Sequence, residues 1–390
     1  MSVPVTDPFA PVRPRYGAAS LADVLPSALA VLGVPGAVDV LGLSDGLAGV
    51  RRIAVLLVDG LGWHQIPTAA PYAPTLAELA ADGRPLTTGF PSTTPTSLVS
   101  LGTGAAPGAH GILGFRVNVP GTDRVLTHID WGDDPDPQRW QPVRTQLDRA
   151  AAAGVTATVV TRPEYAGSGL TVSANRGGAF RGAADVDTLA RAMLAALTTG
   201  DGPTLVSGYH PDLDREGHGS GVDSLPWRAA ASDVDRLLTR LVDGLPSDAA
   251  LLVTADHGQL NVPQTHRFDM DADPRLRNGV RLVAGEARVR YLHAEPGAVD
   301  DVIAIWRGVL GDAAWVAGRD EAVAAGWFGP VPEAHLQRVG DVVVACHGSY
   351  AVLASRTDHP AEATLVAYHG SYTAVEMTIP LLVVRGGAHH

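Results

Sequence analysis

The sequence predicts an α/β fold: a mostly parallel central sheet flanked by helices, with a small inserted α+β subdomain. Three observations predict it. Continuous apolar runs of strand length recur along the chain, amphipathic helical patterns separate them, and the alternation breaks only between His257 and His369.

Residues 1–48, rich in Pro, Ala and Gly, are expected to wrap the surface before the first core strand. Residues 52–58 then form an apolar run after Arg52, as in a parallel strand covered on both faces. Similar runs at 156–160, 203–209, 250–254 and 379–384 add further strands. Residues 185–197 and 227–242 read as helices; in the second, Val234, Leu237, Leu238, Leu241 and Val242 recur at helical spacing, with Asp235, Arg236 and Arg240 between them. Alternation of this kind implies right-handed crossovers and parallel pairing. Within 267–360, the expected insertion, residues 288–293 and 313–316 read as strands, 298–310 as a helix, and 342–345 with 351–354 as a hairpin-like pair. The tetrapeptide H-G-S-Y occurs at His347 and His369 without longer self-similarity, so it marks no repeat.

A chain of 390 residues with 18% charged side chains is long and apolar enough for a substantial core. Its formal charge of −12 argues against attraction to nucleic acid or an anionic membrane through a general field. A phosphate-bearing substrate then needs local positive charge, which bound metal ions supply. The single cysteine, Cys346, excludes an internal disulfide framework and a Cys-based zinc site. The N-terminal stretch lacks the pattern of a signal peptide, and the apolar segment 21–43 is broken by Asp23, Pro26, Pro35, Gly36 and Asp39. The expectation is a cytoplasmic protein with neither a nucleic-acid scaffold nor a membrane partner. The sequence assigns no oligomeric state, and His389 and His390 carry no weight.

Five segments carry the chemistry. Asp59 ends the first strand in V-L-L-V-D-G-L-G-W, where its carboxylate reaches the carboxyl edge of the sheet; an Asp-Gly turn alone explains it equally well. Asp256 and His257 repeat the arrangement in L-L-V-T-A-D-H-G, and oxygen with imidazole nitrogen suits Zn²⁺ or Mn²⁺. Asp214 and His218 stand four apart in Y-H-P-D-L-D-R-E-G-H, close enough to share a metal on a helix or tight turn; Gly217 and Gly219 suggest a loop, and Asp212 and Glu216 are rival carboxylates. Thr94 lies in F-P-S-T-T-P-T-S, a segment able to open a helix with free N–H groups facing an anion, among other hydroxyls that the pattern does not separate from it. His369 precedes Gly370 near the last strand, and His110 is a further candidate with a local structural role favoured.

In this order the residues resemble the alkaline phosphatase superfamily and, within it, the type I phosphodiesterase/nucleotide pyrophosphatase family, from about Ile53 to Val384 without most of the insertion. The resemblance implies an alkaline-phosphatase-like fold and two divalent ions, Zn²⁺ with Mn²⁺ as the alternative. Asp214, His218 and His369 would hold one ion; Asp59, Thr94, Asp256 and His257 would hold the other. It also implies attack by Thr94 on the phosphorus of a small phosphate ester and a phospho-threonine intermediate. Pro95 replaces the aromatic that commonly follows the nucleophile and stacks on a base, and Phe115 aligns with an Asn that contacts the phosphoryl oxygen. Asn118, Arg116 or a backbone N–H would take over that contact. A phosphomonoesterase or phosphonate hydrolase on the same frame is the alternative within enzymes. A non-catalytic metal-binding protein is the alternative outside them.

Overall fold

The computed structural model describes residues 7–387, so His389 and His390 lie outside the described residues. Its first core strand, β1 (Arg52–Val58), is buried along nearly its whole length, as its unbroken apolar run requires. The sheet is completed by β2 (Arg84–Thr87), β3 (Thr156–Thr161), β4 (Ala179–Gly182), β5 (Thr204–His210), β6 (Ala249–Thr254) and, late in the chain, residues Thr378–Arg385. The seven strands run in the order β2, Thr378–Arg385, β6, β1, β5, β3, β4. Thr378–Arg385 pairs antiparallel with both of its neighbours, while β6, β1, β5, β3 and β4 are mutually parallel.

The helices that matter for the site are α1 (Thr94–Thr103), α2 (Gly169–Asn175), α3 (Val186–Leu197), α4 (Asp212–Ser220) and α5 (Leu225–Asp243). The last buries Trp227, Val234, Leu237, Leu238 and Leu241 on one side, the stripe its 3.6-residue pattern dictates. Ser224 caps it by accepting from the Trp227 N–H. Where the sequence suggests a loop at Asp214 and His218, the chain is helical. Gly217 is there because Gln259 packs on the helix: a Cβ at that position would lie 1.8 Å from Gln259 Oε1.

A second sheet follows the site. Val280–Glu286, Val289–Ala294, Ala314–Gly318 and Val342–Cys346 form four antiparallel strands in the order first, second, fourth, third. The helix Val299–Leu310 packs on them through Val302, Trp306 and Leu310. The hairpin expected between 342–345 and 351–354 does not form. Ala351–Leu353 pairs in parallel with Arg267–Asp269, because Val342–Cys346 is already paired on both edges.

The two sheets are joined by a buried ion pair. Arg288 Nε and Nη2 donate to Glu376 Oε1 and Oε2 at 2.9 and 2.6 Å, with neither side chain exposed. Glu376 also accepts from the Ser371 N–H at 3.0 Å and from the Thr373 hydroxyl, which fixes the segment just after His369.

Candidate metal centre

Three adjacent parallel strands deliver side chains to one edge of the sheet. Asp59 follows β1, Asp256 and His257 follow β6, and Asp214 and His218 lie on α4 beyond β5. Ligands of open α/β sheets collect at this carboxyl edge. Gly60 permits the approach: its φ is +73°, and a Cβ there would meet Asp214 Cβ at 2.9 Å. His369 comes from the loop after Ala367–Tyr368, a short strand paired with Leu260–Asn261 just beyond the Asp-His motif. Thr94 is the first residue of α1, with Thr93 as the extended N-cap.

The imidazoles are held from behind. The Nδ1 atoms of His257, His218 and His369 donate to the carbonyls of Gly258 (3.2 Å), Ala367 (2.7 Å) and Ser92 (2.9 Å). A carbonyl only accepts, so each Nδ1 carries the proton and each Nε2 turns a lone pair inward. The Nε2 atoms of His218 and His369 face each other at 3.1 Å, and the rings of His257 and His369 stack at 3.6 Å between centroids. Two acceptor nitrogens at that separation repel unless a cation lies with them.

The carboxylates are half-satisfied. Asp59 Oδ2 accepts from the Tyr209 hydroxyl, Asp256 Oδ1 from the N–H groups of Gly60 and His257 (3.0 Å each), and Asp214 Oδ1 from Gln259 Nε2 (2.8 Å). Asp59 Oδ1 and Asp256 Oδ2 are buried without a hydrogen-bond partner. They lie 3.5 and 3.3 Å from His257 Nε2, while Asp214 Oδ2 lies 3.3 Å from His218 Nε2. Thr94 Oγ1 is 3.2 Å from His257 Nε2. Donor atoms of Asp59, Asp256 and His257 fall within 4.8 Å of one another, as do those of Asp214, His257 and His369. All seven residues named from the sequence therefore meet in one place, with His257 touching both groups.

The charges are uncompensated by protein. Burial, then the Asp256 and Asp214 carboxylates, hold Asp59 well above the ordinary carboxylate range. Burial raises Asp214 against the pull of His218 and His257, and burial with His257 and His218 alongside pushes His369 well below the usual histidine value. Orphaned carboxylate oxygens and converging lone pairs fit divalent cations, and a donor set of carboxylate and imidazole without thiolate fits Zn²⁺ or Mn²⁺.

Other predicted contacts fall elsewhere. His110 is buried in a local network, Nε2 meeting Ser100 Oγ at 2.9 Å and Nδ1 accepting from the Ile112 N–H at 3.1 Å. Arg116 is bound to the Gly285 carbonyl, Asp358 and Glu362, and Asn118 lines a separate crevice with Arg281 and His293, so neither faces the phosphoryl position. Phe115 does border the site's cavity. Tyr209 and Gln259, which orient Asp59 and Asp214, were not singled out by the sequence reading. Their only signal is adjacency: Tyr209 precedes the H-P-D segment and Gln259 follows D-H-G.

The sequence profile of the type I phosphodiesterase/nucleotide pyrophosphatase family matches residues 53–372. The chain belongs to this family. It is accordingly a phosphoric ester hydrolase. Among solved structures, murine ectonucleotide pyrophosphatase/phosphodiesterase 5 shares the fold at 20% identity and a TM-score of 0.66, over 85% of this chain and 87% of that one. A second structure of that murine protein, an inactive form in complex with AMP, has a TM-score of 0.65 at 20% identity, over 85% and 87% of the two chains. Phosphonoacetate hydrolase from Sinorhizobium meliloti 1021, in complex with phosphonoacetate, shares the fold at 18% identity and a TM-score of 0.65, over 88% and 92% of the two chains. No curated protein sequence matches. Among the described residues no helix is long and apolar enough to cross a membrane.

Proposed function

We propose that the protein is a phosphodiesterase that hydrolyses small phosphate esters through a phospho-threonine at Thr94, with two divalent ions beside it. The carrying observation is the convergence of three inward Nε2 lone pairs and two partnerless carboxylate oxygens next to Thr94 Oγ1. Asp214, His218 and His369 would hold one ion, and Asp59, Asp256, His257 and Thr94 the other, with Zn²⁺ preferred and Mn²⁺ as the alternative. Bound divalent cations lower the pKa of a nearby hydroxyl and offset charge on phosphoryl oxygens.

The remaining work falls to the chain. Thr94 Oγ attacks phosphorus in line with the departing ester oxygen; water then cleaves the threonine ester, releasing a phosphomonoester and restoring the hydroxyl. The Thr94 and Thr96 N–H groups, in the first turn of α1, have no intrahelical acceptor, and the one at Thr94, which borders the cavity, would serve a phosphoryl oxygen. His257 orients Thr94 and Tyr209 orients Asp59, each through a hydrogen bond. Residues 267–360 act as a cap, a role supported by Glu286 and Ala287 lining the cavity. Diesters are favoured over monoesters, since Arg116 is engaged elsewhere and Thr94 has no arginine within its own segment to hold a dianion. A cytoplasmic location belongs to this proposal too, and cell fractionation tests it.

The deciding experiment treats metal-loaded protein with bis-p-nitrophenyl phosphate and quenches it in acid. Mass spectrometry should find phosphate ester on Thr94 in the wild type. Turnover undiminished in Thr94→Ala would overturn the proposal.

A further inference from the structure

Apart from the cavity at the metal centre, the protein carries a crevice of about 460 Å³ that shares no lining residue with it. It lies where a hairpin, Arg116–Asn118 with Val125–Thr127, meets the strands Val280–Glu286 and Val289–Ala294. Every side chain on its wall is polar. Pairing of the two strands passes from Val280 opposite Ala294 to Leu282 opposite His293, so Arg281 sits in a bulge. Bulges re-aim side chains, and here Arg281 and His293 both border the crevice. Asn118 borders it from the hairpin, and Arg319 and Asp341 from the later part of the inserted segment.

The charges leave room for an anion. Asp341 is fully engaged, with Oδ1 accepting from Arg319 Nη2 and Oδ2 from the Ala294 N–H at 2.9 Å. Arg319 is fixed by Nε on the Val339 and Gly340 carbonyls, at 3.1 and 3.3 Å, and among the described residues its Nη1 has no partner. Arg281 pairs, among the described residues, only with Asp123, and the two side chains are 36% and 74% exposed. Such a pair contributes little and yields to a better-held anion. Asn118 and His293 are 6% and 3% exposed, yet Asn118 Oδ1 and His293 Nε2 are buried without a hydrogen-bond partner. Buried polar atoms are rarely left so. Burial pushes His293 down to about 4, so its ring is neutral near neutral pH and offers one N–H and one lone pair.

These groups call for different parts of one ligand. Arg281 and Arg319 call for an oxyanion, which a guanidinium fork binds through paired hydrogen bonds. Asn118 Oδ1 calls for a donor, and His293 can give or accept; hydroxyl groups meet both. A lone ion would leave most of the volume empty, and an apolar body would find no apolar wall. We infer that the crevice binds a small hydroxylated anion of the sugar phosphate or sugar acid class, its oxyanion on Arg281 and Arg319 and its hydroxyls on Asn118 and His293. The site is independent of the reaction proposed at Thr94.

The test titrates metal-loaded wild type with ribose 5-phosphate, ribonate and ribose, and locates binding by hydrogen–deuterium exchange, because the metal centre can take an anion of its own. At least one of the two anions should protect residues 116–127 and 280–294, and ribose should not. Which anion protects them tells a phosphate ligand from a carboxylate one. Arg281→Ala, at a half-exposed position outside the metal centre, should weaken that protection about tenfold or more, equivalent to ~1.4 kcal/mol. It should leave any protection at the metal centre unchanged. Asp123→Ala should tighten binding at the crevice, since it removes the carboxylate that competes for Arg281. Protection of these segments by neither anion, or protection that Arg281→Ala leaves as tight as in the wild type, overturns the inference.

Discussion

Removing the Glu376 carboxylate should destabilise the protein more than removing any surface charge. In Glu376→Gln the shape survives, but Arg288 keeps its charge in a position with no exposure. The carboxylate currently takes two guanidinium hydrogen bonds, one backbone N–H and one hydroxyl, so all of its acceptor sites are used. Arg288 has the carbonyls of Gly348 and Tyr350 left to it, which satisfy hydrogen bonds and leave the charge unpaired. Breaking a buried pair at one end costs roughly 3–5 kcal/mol, a large part of the roughly 5–15 kcal/mol that holds a domain together. An exposed pair such as Arg307–Glu321, at 3.4 Å, is by comparison worth about 0–1 kcal/mol. The assay is urea denaturation of chelator-treated protein, so that ion binding does not mask the change. Arg288→Met with Glu376→Leu should recover part of the loss, because no charge is left buried, while the Ser371 N–H and the Thr373 hydroxyl lose their acceptor. A loss below about 1 kcal/mol in Glu376→Gln, a range ordinary for surface substitutions, would refute the reasoning.

Elemental analysis of protein purified without chelator should find about two equivalents of divalent metal, as a two-ion site requires. Asp256→Asn should lower that number, because Asp256 Oδ2 is one of the partnerless oxygens. Thr94→Ala should lose turnover by at least about a hundredfold while keeping its metal, and Thr93→Ala and Thr96→Ala should remain active, since covalent attack has no substitute at either position. Gly217→Ala should impair activity through Gln259, whose amide it would displace from Asp214, and kinetics of the folded variant check it. A monoester preference of tenfold or more in kcat/KM, about 1.4 kcal/mol, would refute the diester preference. His110 is pushed down to about 3, chiefly by burial and then by His335 and His128. Its neutral form is the folded one, so its contribution is full above its unfolded value near 6.5 and is lost as pH falls from there toward about 3. In His110→Gln, stability measured by denaturation over that window should fall less steeply, by up to about 1.4 kcal/mol per pH unit.

Of the proposed ligands, Asp59, Asp256 and His257 were legible because each follows a strand that announces itself. Residues 52–58 and 250–254 are apolar runs that stop at a carboxylate, and a parallel sheet brings such stops to one edge whatever the rest of the chain does. Where the reading went astray, a tertiary contact outweighed a local rule. Gly217 and Gly219 suggested a loop at Asp214 and His218, yet the segment is helical, with Gly217 serving the close approach of Gln259. Strands 342–345 and 351–354 alternate like a hairpin, but strand choice was decided by partners from 24 to 84 residues away in sequence, which no local pattern carries.

The apolar wall of the cavity at Thr94 was illegible for a different reason. Leu98, Leu101, Leu170 and Ala174 have the identities and spacings of core residues, and a leucine that lines a binding cavity is indistinguishable in sequence from one that fills a core. Ligands of metals must be Asp, His or their like, so chemistry confines them to a few residue types and the sequence betrays them. Walls that recognise apolar groups are drawn from the commonest residues of any interior. The reaction class could therefore be read from side chains, whereas the cavity's apolar lining could not. A site of this construction should accordingly change substrates by substitutions at 98, 101, 170 and 174 without loss of metal. Equilibrium dialysis of Leu98→Phe and Leu170→Phe, alongside their kcat/KM for methyl and phenyl p-nitrophenyl phosphate, tests that separation: an altered ratio with two ions retained supports it, and loss of an ion from either variant would sink it.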